Sequence, residues 1–375
     1  MSLPPVLFVL IQTNASADGG ISSIGEIMAG LHHHRPIIVT DRDSARVEEW
    51  RKSGIETHVL PQAASHGLVR DPIGIIRSYW RYGRELRRLI KSSGTKVVHA
   101  NETLAFQLAI WPARSAGVPI IFNVRDTIDP ARKPPSTRYR LLFAVADHVI
   151  YLSHDMANRW EGLALNAKRA CSVIYSVVDP TRFVSTPLRS RDSAIVLLSG
   201  LIGAKKGQLE FIRQVAPTLA AHGISTWFAG DFDPSADPYM AACAEAAAPL
   251  RDAVRFLGYR SDIPELMAQS TVVAVPSRHE GLVRAMIEAM SCSRPVVSFD
   301  VCSARELLES QSGGAGQVVD IGDYEGMTNA ILEYCRDRDL ASKAGKRGHE
   351  TASRLFARDE VVRRYEQVYE MVATD

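Results

Sequence analysis

The residues in this sequence best suited to chemistry are two glutamates, Glu280 and Glu288. They lie in Pro276-Ser277-Arg278-His279-Glu280-Gly281-Leu282 and Glu288-Ala289-Met290, a stretch that closes at Arg294-Pro295-Val296-Val297. Glu280 is expected at the end of a strand and Glu288 inside the helix that follows. Their separation is a little over two helical turns, so the two carboxylates need not touch and can address different parts of one extended ligand. Carboxylates hold vicinal sugar and ribose hydroxyls well, through paired charge-assisted hydrogen bonds. Gly281 lets backbone N–H groups approach an anion at the start of that helix. Two surface glutamates favoured by the helix dipole would leave the same spacing. A second stretch, Leu198-Ser199-Gly200-Leu201-Ile202-Gly203-Ala204-Lys205-Lys206-Gly207, carries glycines and lysines able to cradle a diphosphate. It is neither a GxGxxG turn nor a P-loop, and an ordinary strand–helix turn with solvated lysines would read the same way.

These residues need a scaffold, and 375 residues are too many for one ordinary core, so two α/β domains are expected. In the N-terminal half, Val6 to Ile11, Ile37 to Val39, Val97 to Ala100, Ile120 to Phe122 and His148 to Leu152 are short apolar runs of strand length. A polar, glycine-containing turn (Asn14 to Gly20) follows the first run, and helical sequence precedes the later ones. Unalternating apolar strands between helices imply a parallel, doubly wound sheet. From Thr181 to Ser193 the composition shifts to Pro, Ser, Thr and Arg, which reads as a linker. The pattern then restarts with Ile195 to Leu198, Ser225 to Ala229, Val254 to Leu257, Val272 to Val275 and Val296 to Phe299, and an Ala-rich helix over Met240 to Leu250. The expected organisation is two Rossmann-like domains, 1–183 and 190–355, facing a central cleft, with a C-terminal helix at 356–375 crossing back onto the first. Ligands of such sheets bind outside the carboxyl ends of the strands, and clefts between domains are favoured sites.

The totals narrow the class further. A net charge of +2 gives no global reason to expect nucleic-acid binding. The five cysteines (Cys171, Cys243, Cys292, Cys302 and Cys335) form no CxxC pair, which speaks against a disulfide framework or thiolate zinc site and fits a reducing cytoplasm. The run from Val6 is too short for a signal or a span, and no other run reaches membrane length. A soluble cytoplasmic protein is expected, one that could still lie on a membrane.

The order of blocks makes a resemblance plain. Gly200…Lys206-Gly207, Phe228-Ala229-Gly230-Asp231, Val254 to Ile263, and Pro276…Glu280-Gly281…Glu288-Ala289-Met290…Pro295-Val296 resemble the donor half of the family 4 glycosyltransferases of the GT-B fold. Asp18-Gly19-Gly20-Ile21, Val97 to Ala100 and Val173 to Phe183 resemble that family's N-terminal landmarks. The resemblance implies a retaining, metal-independent transfer of a sugar from a UDP- or GDP-sugar to an acceptor hydroxyl, in surface polysaccharide or glycolipid assembly. It implies that Lys206 binds the donor diphosphate, with Gly200 and Lys205 on the same loop. Glu288 would hold the ribose, and Glu280 with the amides of Gly281 and Leu282 would position the sugar. The base would lie near Gly258-Tyr259-Arg260, and Gly19 and Gly20 would face the diphosphate and acceptor.

Three departures stand against the family pattern. Leu201 replaces a usual phosphate-binding arginine. Asn123-Val124-Arg125-Asp126 stands where a catalytic histidine is common, and Arg125 can bind a phosphate or sugar but cannot act as acid or base. Ser293 replaces a glycine, and the segment after Ile174 lacks the usual Asn-Gly. A non-catalytic sugar-nucleotide or glycan-binding relative is the alternative these departures suggest; a metal-dependent or inverting transferase is a second.

Other features carry less. Asp231-Phe232-Asp233 and Asp41-Arg42-Asp43 are DxD triplets of a kind that suits Mg²⁺ or Mn²⁺, but no metal is expected. Successive histidines His32-His33-His34 diverge on a helix and are expected to be solvated or capping. His99, at the end of its strand, is either placed with the acceptor loop or a packed, structural histidine. The helix over 73–91 aligns Arg77, Arg81, Arg84, Arg88 and Lys91 on one face, beside Trp80; it is either a solvated crossover helix or a peripheral contact with anionic lipid at the inner face of a membrane.

Overall fold

The computed structural model describes residues 3–11, 19–61, 72–125, 137–161, 170–188 and 194–374. The turn from Asn14 to Asp18, Asp126 and the end of the Thr181–Ser193 stretch therefore lie outside the described residues. The chain forms two compact units, residues 1–177 with 358–375, and residues 178–357.

In the first unit β1 (Pro5–Leu10), α1 (Gly19–Gly30), β2 (Arg35–Thr40), α2 (Ala45–Lys52), β3 (Glu56–Val59) and α3 (Pro72–Ser92) precede β4 (Val97–Asn101) and α4 (Thr103–Ala116). Then come β5 (Ile120–Val124), α5 (Thr137–Ala144), β6 (His148–Tyr151), α6 (His154–Glu161) and β7 (Cys171–Val173). The strands make one sheet in the order β3-β2-β1-β4-β5-β6-β7, and every pairing is parallel. Because β1 neighbours both β2 and β4, the order reverses there. Every residue of β1 is buried, which explains why the sequence shows a continuous apolar run instead of alternation.

The second unit repeats the plan with β8 (Ile195–Ser199), α7 (Gln208–Gln214), α8 (Ala216–Ala221), β9 (Ser225–Ala229), α9 (Pro238–Ala247) and β10 (Val254–Phe256). It continues with α10 (Ile263–Gln269), β11 (Val272–Val275), α11 (Arg284–Ser291), β12 (Val296–Phe299), β13 (Gly316–Val319), α12 (Tyr324–Arg336) and α13 (Arg338–Leu355). Its parallel sheet runs β10-β9-β8-β11-β12-β13, reversing between β8 and β11. Asp237, Asp323 and Asp337 accept first-turn amides of α9, α12 and α13, which fixes where these helices begin.

The segment expected to be a linker is docked over its described part. Val178 N–H donates to the Phe356 carbonyl, and Arg182 to that of Ser261. Arg294, fully buried, donates to the Thr186 carbonyl at 2.7 Å and its hydroxyl at 2.6 Å. The same guanidinium reaches the carbonyls of Met267, Ala268, Cys292 and Ser293 at the ends of α10 and α11. The negative ends of two helix dipoles thus face one buried cation.

The last helix, α14 (Arg358–Thr374), belongs to the first unit. Val361, Tyr365, Val368 and Tyr369 join Phe8, Ile24 and Trp50 in its core. Glu366 accepts the amides of His32 and His33 at 2.9 and 2.6 Å, so the histidine run caps this helix face through its backbone. His99 is fully buried and held at both nitrogens. Asn123 Nδ2 lies 3.2 Å from Nε2 and also donates to Tyr365 Oη; Nδ1 lies 3.0 Å from Tyr369 Oη. A donor amide at Nε2 leaves the ring hydrogen on Nδ1. His99 therefore ties α14 to the sheet as a packed, fully buried histidine.

Burial, with the charge of Arg125 nearby, pushes the His99 imidazole down from 6.5 to about 3. The folded state keeps the ring neutral, whereas the unfolded chain protonates it below about pH 6.5. The stability involved is complete above that value and is lost progressively as pH falls toward the folded pKa. At pH 5 the loss should be about 2 kcal/mol. Urea midpoints at pH 7 and pH 5 test this: His99→Gln should lose less stability than wild type between the two, and equal losses would mean that the ring is protonated in the fold.

Candidate functional site

In a doubly wound sheet the ligand crevice opens where the strand order reverses. In the second unit that point lies between β8 and β11, and the loops after these two strands are the two stretches with the chemistry. A single residue governs how close they come. Gly207 has φ +75°, and a Cβ on it would meet the Pro276 carbonyl oxygen at 2.2 Å. Only glycine tolerates both conditions. The Arg278 amide then donates to the Lys205 carbonyl at 3.0 Å, joining the loops main chain to main chain. Gln208 braces the first loop, donating to the Leu201 carbonyl and accepting from the Gly203 amide.

Lys206 and Glu280 meet at this point, with Nζ 2.6 Å from Oε1. Glu280 is only 8% exposed, and Lys206 is partly buried. A short helical turn, Ala204–Lys206, aims the lysine inward, while Lys205 stays exposed. Glu280 sits in the loop five positions beyond β11, not at the strand's own end. Gly281 and Leu282 follow it, half-buried, immediately before α11.

Glu288 lies two turns into the sequence beyond Glu280, on the partly exposed side of α11. Its Oε1 accepts from Arg284 Nη2 at 2.9 Å and Nε at 3.1 Å. The two carboxylates thus have separate cationic partners. Arg284 was not singled out from the sequence, although its i, i+4 relation to Glu288 on a helix is a readable pairing signal. Arg278, also missed, reaches Glu210 at 3.6 Å and Tyr324 Oη at 3.5 Å.

The carboxyl edge beside this point holds three glycines, Gly200, Gly230 and Gly258. The Gly200 amide donates to Ala229 and the Gly230 amide to Gly258, so the ladder runs on past β8, β9 and β10. A Cβ on Gly230 would meet the Gly200 carbonyl at 2.0 Å. Next to this glycine shelf, Tyr259 is 63% exposed, and Arg260 forks onto Asp262. Leu201 projects from the first loop, 41% exposed. In the DxD triplet nearby, Asp233 closes a turn on Ser235 through its carboxylate.

The remaining candidates belong to the first unit. Gly19 and Gly20 open α1 on the loop after β1, at the reversal point of that sheet. Arg125 follows β5 and donates from Nε to Asn101 Oδ1 at 2.5 Å, beside Glu102, whose φ is +82°.

Gly207→Ala should lower stability by at least about 1–2 kcal/mol from its left-handed backbone alone. It should also part the two loops and separate Lys206 from Glu280. Urea denaturation and hydrogen exchange at residues 199–207 and 276–290 check this; a variant with unchanged stability and exchange would show that the close approach is dispensable.

The Glycosyl transferase 4-like domain model matches residues 19–174, and the Glycosyl transferases group 1 model matches residues 193–337. The chain is 29% identical over 126 residues to N-acetyl-alpha-D-glucosaminyl L-malate synthase of Bacillus anthracis, covering 34% of this chain and 32% of that one. It is 29% identical over 177 residues to the lipopolysaccharide core biosynthesis glycosyltransferase LpsE of Rhizobium meliloti, covering 47% of this chain and 50% of the other. The matches thus span about a third of the first relative's length and half of the second's. Among solved structures, Anabaena HepE in complex with UDP and glucose superposes with a TM-score of 0.79 at 20% identity, covering 97% of this chain and 99% of that one.

Proposed function

This chain belongs to the family 4 glycosyltransferases of the two-domain α/β GT-B fold, and from that premise we propose that it is a retaining transferase. It moves a hexose from a UDP- or GDP-sugar to an acceptor hydroxyl in surface polysaccharide or glycolipid assembly. It works on the cytoplasmic side, without a metal. The observation that carries the reading is the Lys206–Glu280 pair at the reversal point of the second sheet.

Breaking the bond between the sugar's anomeric carbon and the diphosphate loads negative charge onto the leaving phosphate, and a fixed cation there stabilises that charge. Lys206 is that cation, with Lys205 and the Gly200 loop beside it. Without donor, Glu280 neutralises Lys206; with donor, the diphosphate takes the lysine, and the freed carboxylate accepts sugar hydroxyls. The Gly281 and Leu282 amides precede α11 and complete the sugar subsite. Glu288, oriented by Arg284, receives the ribose. The glycine shelf leaves room for a flat base near Tyr259 and Arg260. Gly19, Gly20 and Arg125, at the carboxyl edge of the first sheet, serve the acceptor and diphosphate. The HepE structure with UDP and glucose supports a nucleotide-sugar donor, and the lipopolysaccharide core biosynthesis relative supports the pathway.

A thermal-shift panel of UDP-, GDP-, ADP- and dTDP-sugars tests the donor site. One of them, at a hundredfold excess over its Kd, should stabilise the wild type by about 2.7 kcal/mol. Loss of one charge-assisted contact of about 1.5–3 kcal/mol should weaken binding roughly ten- to hundredfold in Lys206→Ala, and Glu288→Ala should weaken it as well. The ligand-induced increment is compared within each variant, because Lys206→Ala also leaves a buried carboxylate unpaired. A wild type indifferent to all four would sink the proposal. The exposed Leu201, in place of a second cation, favours one rival: a donor-binding protein without turnover, which would bind in the panel yet transfer to no acceptor. Transfer should also survive chelation, and its loss would point to a metal-dependent enzyme.

A further inference from the structure

Several surface arginines of this chain have a carboxylate partner: Arg35 pairs with Glu56, Arg46 with Glu49, Arg51 with Asp43 and Glu48, Arg305 with Asp300, and Arg363 with Glu360. One face of helix α3 instead gathers five cations. Arg77, Arg81, Arg84, Arg88 and Lys91 are all exposed, and none of them makes an ion pair among the described residues. At about 100° per residue they fall within an arc of roughly 80°, along some 20 Å of helix. Glu85 is the sole acid between Arg77 and Ser92.

The opposite face of α3 is spent on the core. Tyr82, Leu86 and Ile90 are buried, and a Cβ on Gly83 would meet the Trp111 ring of α4 at 2.7 Å. That close approach sets Trp111 against Trp80, with ring centroids 4.9 Å apart and near-perpendicular planes. Trp80 is thereby held at the flank of the cationic stripe while 48% exposed, with Tyr79 next to it at 37%. Tyr79 Oη donates to the Gln107 carbonyl at 3.3 Å, fixing the ring to α4.

A solvated face would gain from interspersed acids, and unpaired like charges at i, i+4 oppose one another. A stripe of cations flanked by a propped, half-exposed indole is what an anionic bilayer surface complements. The cations meet lipid phosphates, and the indole sits at headgroup level. A soluble polyanion would use the charge but has no need of the exposed indole. We propose that the Arg77–Lys91 face of α3, with Trp80, docks the protein peripherally on anionic lipid. The inference gives a surface to the membrane-side location in the proposed function, but it stands on α3 alone and not on the donor site.

The full chain is sedimented with phosphatidylcholine vesicles and with vesicles containing phosphatidylglycerol. Binding is expected to the anionic vesicles only, and to fall when KCl rises from about 0.1 to 0.5 M, as the Debye length shortens below about 5 Å. Neutralising three cations in Arg81→Gln/Arg84→Gln/Arg88→Gln should weaken partitioning about a hundredfold, at about one decade per 1.4 kcal/mol and roughly 1 kcal/mol per charge. Trp80→Ala, which keeps every charge, should weaken it further than Tyr79→Phe. No binding of the wild type to anionic vesicles overturns the proposal, as does undiminished binding by the triple variant. Tighter binding to heparin or RNA, insensitive to Trp80→Ala, would assign the stripe to a soluble polyanion instead. The nucleotide-induced thermal shift is read on the same samples: vesicle binding without a nucleotide response would cost the transferase reading and leave this one standing.

Discussion

The second unit depends on one close approach, between the left-handed backbone of Gly207 and the carbonyl of Pro276. A parallel sheet that reverses its order between β8 and β11 opens a gap at the carboxyl ends of those strands. Any side chain at 207 would hold the two loops apart. With glycine there, main chain binds main chain through Arg278 and Lys205, and Lys206 is delivered to Glu280. The pair is a consequence of the backbone contact, because a lysine on a free loop would give up roughly 2 kcal/mol of rotamer entropy for an ion pair worth little at a surface. Partial burial and a fixed loop change that balance.

Elsewhere two clusters show a buried charge and a buried ring fully engaged. Arg294 is surrounded by the carbonyl ends of α10 and α11 and by the segment at Thr186 and Pro187. That makes the stretch following Val177 part of the second unit's structure. In the first unit His99, Asn123, Tyr365 and Tyr369 close on each other and bring the last helix into the core of the first sheet. Against this background the stripe on α3 differs: its five cations make no ion pair among the described residues.

The central strands were readable because both faces are covered, so β1 and β11 appear as unbroken apolar runs, β8 as one up to its last residue, and β4 and β12 as apolar runs interrupted by His99 and Ser298. The edge strands β3 and β7 and the outermost β13 were not. Their residues are mostly half-buried or exposed, and Glu56-Thr57-His58-Val59 or Gly316-Gln317-Val318-Val319 carries no run to notice. The site divides along a similar line. Lys206, Glu280 and Glu288 stand out by residue type and order, and Arg284 could have been paired with Glu288 by helical spacing. The surroundings of His99 could not have been read: its partner Tyr369 lies 270 residues away in sequence. Tyr365 and Tyr369 look like the apolar stripe of an amphipathic helix until the buried hydroxyls are seen to need partners. The docking of Thr186 on Arg294 was hidden likewise, since a proline- and serine-rich stretch reads as free linker whether or not a buried guanidinium collects its carbonyls.

The most direct measurement is hydrogen exchange along the chain with and without a saturating nucleoside diphosphate. A donor held at the β8–β11 reversal point predicts slower exchange in peptides covering residues 199–207 and 276–290, through amides engaged by phosphate and sugar. Unchanged exchange in both peptides, with the nucleotide bound, would contradict the account, because the ligand would then be held somewhere other than at Lys206, Glu280 and Glu288.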